Sequence, residues 1–74
     1  MSDMFRIVVS SPPDRERLVA EVWFGGEMVV EINQESDQLR VEIYARESGE
    51  PWAVPFAEFI DALNQAKRRL VGPE

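Results

Sequence analysis

Val22-Trp23-Phe24-Gly25-Gly26-Glu27-Met28-Val29-Val30-Glu31-Ile32 is two alternating apolar and polar runs joined by a pair of glycines. Glycine tolerates the positive φ angles of a tight reversal, so the stretch reads as an antiparallel hairpin. Side chains of a strand point alternately to its two faces, and the apolar sets of both strands must share one face. On that condition Phe24 opposes Met28, and the loop holds three residues, Gly25 to Glu27, the length of a type I turn with a glycine bulge. A two-residue Gly25-Gly26 loop would instead pair Phe24 with Glu27 and send Trp23 to the core side. The three-residue loop is the expected one.

Outward from the hairpin the same alternation continues. Toward the N-terminus, Leu18, Ala20, Val22 and Phe24 share a side against Val19, Glu21 and Trp23, which predicts a strand over about 17–24. Ser11-Pro12-Pro13-Asp14 breaks the chain before it, since proline offers no ladder donor. Phe5, Ile7 and Val9 against Met4, Arg6 and Val8 predict another strand over about 4–10. Toward the C-terminus, the third strand covers about 27–33, a polar turn runs from Gln34 to Gln38, and Leu39, Val41 and Ile43 against Arg40, Glu42 and Tyr44 predict a fourth over about 39–46.

Beyond the loop at 47–51 the period changes. Phe56, Phe59, Ile60, Leu63, Ala66 and Leu70 recur at helical spacing and predict one amphipathic helix over about 55–70. Pro55 suits its first turn, acidic Glu58 and Asp61 lie early, Lys67 to Arg69 lie late, and Gly72-Pro73 supplies the stop. The expected fold is α+β: a four-stranded antiparallel meander, order 1-2-3-4, packed on one C-terminal helix, with residues 1–74 as a single domain.

With all apolar sets beneath the helix, the other sheet face follows. The expected register sets Arg6 opposite Glu21, Glu21 opposite Glu31, and Glu31 opposite Arg40, with Val8 opposite Val19 and with Trp23 and Val29 in an adjoining row. Such a face is more apolar than solvation needs. Trp and Arg dominate binding hot spots, so Trp23, Arg6, Glu21, Glu31, Arg40, Val8, Val19 and Val29 form the candidate protein-binding set. Width gives a second reason to expect a partner: four strands span roughly 19 Å, whereas one helix covers about 10–12 Å. Part of the inner face needs another cover, from Trp52, from curling of the sheet, or from a second copy.

Composition narrows the chemistry. The chain has no His and no Cys, which removes the usual general base at neutral pH, thiolate metal sites and disulfides. Glu21 and Glu31 are the one carboxylate pair brought together, on an open face without an enclosing cleft, so no catalytic, cofactor or metal site is expected. Glu35 and Asp37 lack the ladder and central glycine of an EF-hand loop. A formal charge of −6 repels nucleic acid and anionic membranes and steers a basic partner inward. Asp3 and Arg6 interrupt the N-terminus where a signal peptide needs an apolar run, so a soluble, cytoplasmic protein is expected.

Val22-Trp23-Phe24-Gly25-Gly26-Glu27, Val30-Glu31-Ile32, Val41-Glu42-Ile43-Tyr44 and the terminal helix together resemble small bacterial immunity-type proteins of polymorphic toxin systems. The resemblance lies in layout and acidity, and implies a protein that neutralises a cognate toxin by covering an essential surface. The expected function is therefore non-catalytic protein binding, as an immunity or inhibitor protein masking a basic partner, or else self-association as a homodimer.

Overall fold

The computed structural model describes residues 4–72. Its strands are β1 (Phe5–Ser10), β2 (Val19–Phe24), β3 (Glu27–Asn33) and β4 (Arg40–Ile43), followed by helix α1 (Phe56–Val71). They form one antiparallel sheet in the order β1-β2-β3-β4, so the meander and its α+β class are as expected. β1 begins one residue later than its alternation suggested, and β2 and β4 are shorter by two residues or more. Gln34 Nε2 donates to the Leu18 carbonyl just before β2, and Trp52 Nε1 donates to the Tyr44 carbonyl just after β4, so side chains replace ladder partners at both places.

The central turn corrects the expected loop. Gly25 and Gly26 have φ of 62° and 90°, the double positive φ of a type I′ turn, and Phe24 pairs with Glu27 across two residues. Trp23 nevertheless stays off the core. Beyond the pair Trp23 and Met28 the register shifts, and Val22 pairs with Val30. Val29 is thus the extra residue of a β-bulge, and past it Glu21 meets Glu31 and Ala20 meets Ile32 as parity required. The bulge lets the turn obey its own geometry while the sheet keeps its faces.

Both flanking registers differ from expectation by two residues. Arg6 opposes Trp23, with Val8 opposite Glu21 and Ser10 opposite Val19. Glu31 opposes Glu42, and Arg40 opposes Asn33. A slip of two preserves every side chain's face, so alternation alone cannot distinguish these pairings. Packing favours the observed one on the first pair, because it brings the Phe5 and Phe24 rings to 4.9 Å.

Helix α1 starts where the Pro55 carbonyl accepts the Phe59 N–H and stops at Gly72, whose φ of 89° lets its N–H return to the Arg68 carbonyl. Buried Ala62 and Ala66 bring the helix close to Ala20, Val22, Val30 and Ile32, with Phe59, Leu63 and Leu70 beside them. Phe5 stacks at 5.7 Å on Phe59, and Trp52 stands edge-on to Phe24 at 6.2 Å, so Trp52 does cover the hairpin end of the inner face. The Arg46 guanidinium lies 5.5 Å over the Trp52 ring.

The helix does not sit centrally: its packing is chiefly on β1 and β2. Arg69 marks one flank, since its Nη1 donates at 3.1 Å to the Ile7 carbonyl on the outer edge of β1. At about 100° per residue, Phe56 and Ile60 fall on the opposite flank, toward β3 and β4. The expected core positions Leu39, Val41, Ile43, Phe56 and Ile60 are accordingly exposed, and Val9 and Leu18, where β1 and β2 meet their connecting loop, are exposed as well. Ile43 is 74% exposed, Val41 50% and Phe56 81%. Among the described residues no helix is long and apolar enough to cross a membrane.

Candidate protein interface

The face turned away from the helix differs in kind from the docking row read from alternation. Glu21, Glu31 and Glu42 stand in one row across β2, β3 and β4, with Val8 at its end. Like charges directly opposite one another are unfavourable, so three in register need compensation. It comes from the loop between β1 and β2. A turn closed by the Arg15 N–H on the Pro12 carbonyl carries Arg15 to the row. There its Nη2 donates to Glu42 Oε2 at 2.8 Å, and its Nε lies 3.0 Å from Glu31 Oε2. The Nε–H is not aimed at that oxygen, so the second contact is ionic attraction rather than a directed hydrogen bond.

Neutral donors complete the row. Asn33 Nδ2 donates to Glu42 Oε2 at 2.9 Å, and the Tyr44 hydroxyl donates to Glu31 Oε1 at 2.9 Å. Ser10 Oγ and Trp23 Nε1 each donate at 3.0 Å to the two oxygens of Glu21. Glu31 and Asn33 are buried, which such a carboxylate and amide tolerate only when hydrogen-bonded. The hydrogen bond to Glu42, and then the charges of Glu31 and Glu42, raise the Arg15 pKa; burial and then the hydrogen bond to Glu31 raise that of Tyr44.

The candidate residues therefore divide. Arg6 and Arg40 are exposed, while Trp23, Glu21 and Val8 are half-buried. Val19, Val29 and Glu31 are buried and offer no surface, which corrects the exposure expected of them. Val29 is turned into the core by the bulge it forms, and Glu31 is enclosed by its own partners. Alternation missed Arg15, Asn33 and Tyr44, the three residues that organise the row. The available signal was the charged run Asp14 to Arg17 in a loop longer than a hairpin needs. Among the described residues no cluster of three acidic side chains is arranged to hold a metal ion.

The accessible apolar surface lies on the other side. Leu39, Val41 and Ile43 share the helix-facing side of β4, with Val41 and Ile43 opposite Ile32 and Val30, and Phe56 and Ile60 are exposed on α1. β4 is also an edge strand, with no neighbouring strand beyond it among the described residues. Comparison of the chain with protein-family models, curated proteins and solved structures found no match.

Proposed function

We propose that this chain is a non-catalytic protein-association domain, and that it docks through the open margin formed by β4 and the adjoining flank of α1. The observation that carries this reading is the exposure of Val41 and Ile43 on the helix-facing side of edge strand β4, with Phe56 and Ile60 exposed on α1. Single exposed apolar side chains are ordinary, whereas a row of them on one face of a free edge strand is a recurrent docking surface. The row around Trp23 supports it less well, because its polar groups already satisfy one another. The chain's acidity supports a second reading, in which a basic protein is drawn to the margin, in keeping with the immunity-type resemblance.

The test compares two substitutions in sedimentation velocity experiments on the chain alone and with candidate basic proteins. Ile43→Lys is expected to abolish association and Trp23→Ala to leave it intact. The reverse pattern would return the docking surface to the outer face.

A further inference from the structure

We infer that the occupant of this margin is a second copy of the chain, joined β4 to β4 about a two-fold axis at Val41, so that two sheets of four strands become one of eight. This rests on the reading of the margin as a docking surface. The two edges of the sheet are not equivalent. On β1 the Arg69 side chain occupies the Ile7 carbonyl, whereas β4 has no such cover among the described residues.

The phase of the β4 backbone is set by the bond from the Tyr44 N–H to the Val29 carbonyl. Inward and outward groups alternate along an antiparallel edge, so Leu39, Val41 and Ile43 direct their N–H and C=O groups outward. Facing residues must also share a sheet face. Centring the axis on Val41 meets both conditions: Val41 faces Val41, and Leu39 faces Ile43 of the second copy. On the other side Arg40 then faces Glu42 of the second copy, and Glu42 faces Arg40. Moving the axis by one residue sets either Glu42 against Glu42 or Arg40 against Arg40. One register alone combines aliphatic pairs on the inner side with opposite charges on the outer side.

The side chains are available for it. Arg40 is exposed and makes no ion pair among the described residues, and Glu42 engages Arg15 and Asn33 through Oε2 alone. A face-to-face arrangement is less suitable, because a second sheet laid over α1 would cover Asp61, Asn64 and Arg68 on its exposed back. In the edge-paired dimer both helices stand on one side, with their Phe56 and Ile60 flanks facing each other across the seam. The charge of −6 on each copy opposes encounter at long range, and the two seam pairs offset part of that repulsion locally.

The experiment is a sedimentation equilibrium series on the full chain, with circular dichroism melts to confirm folding. Wild type is expected to dimerise, and Arg40→Glu, which places four acidic side chains along the seam, to weaken the dimer roughly tenfold or more. Because residues facing at the axis have Cα atoms about 5.5 Å apart, within disulfide reach, Val41→Cys in this cysteine-free chain should oxidise to a covalent dimer. A wild type that stays monomeric throughout overturns the inference. If an Ile43-dependent complex with a basic protein then forms, the docking surface stands and only its occupant was misassigned. A dimer indifferent to Arg40→Glu and to Ile43→Lys overturns both.

Discussion

Glu31 and Glu42 face each other directly across β3 and β4, and a single guanidinium, that of Arg15, lies against both. Arg15→Ala should therefore lower the melting temperature, because buried Glu31 is left beside Glu42 without a counter-charge. Glu42→Gln in the Arg15→Ala background should restore part of the loss. A melting temperature unmoved by Arg15→Ala would show that the loop contributes nothing to the row.

Tyr44 is the chain's one tyrosine, so its ionisation can be followed by ultraviolet absorbance without ambiguity. Burial and its bond to Glu31 raise its pKa, so the midpoint should lie above the ordinary value of about 10. Between the unfolded and folded values the native state holds a proton that the unfolded state has released. This contribution is thus fully present below about pH 10 and is lost as pH rises through the folded value. Chemical denaturation at increasing alkaline pH should show that decline, and Tyr44→Phe should remove this part of it.

The hairpin separates two kinds of substitution. Gly25 has φ of 62°, where asparagine is tolerated and a β-branched residue is not. Gly25→Asn should change stability by only a few tenths of a kcal/mol, and Gly25→Val should cost about 1–2 kcal/mol. Urea denaturation of the pair checks the type I′ turn, since a three-residue loop would place the requirement elsewhere.

Close approach of α1 to the sheet depends on two alanines. Ala66 has no exposed surface, so Ala66→Leu should destabilise by about 1–3 kcal/mol through overpacking. Ile43→Lys, at a position 74% exposed, should stay within about 0.5 kcal/mol of wild type when measured on the monomer. Equal losses in both would mean that Ile43 belongs to the core.

How far the structure could be read from residues depended on the period involved. Alternation and helical spacing located all five elements and put Trp23 on the side away from α1. They were silent on slips of two residues, which leave every face unchanged. Arg6 and Arg40 therefore have neighbours that alternation did not supply, and three glutamates share a row in which two were expected to be flanked by arginines. The hairpin shows the converse limit: parity and turn chemistry gave conflicting loops, and one inserted residue, Val29, satisfies both. Sheet width against helix width correctly implied an uncovered part of the inner face. Its location at β4 follows from the packing of α1 on β1 and β2, with Arg69 bonded to Ile7 far away in sequence, a placement that no local pattern carries.

The contact of Arg69 with Ile7 also bears on how many copies the proposed pairing would join. A sheet adhesive along both borders would add molecules without end, and the product would be a fibre. In the edge-paired dimer proposed above, β4 is the strand consumed and Arg69 obstructs the opposite border at Ile7, so growth by strand addition would stop once two have met.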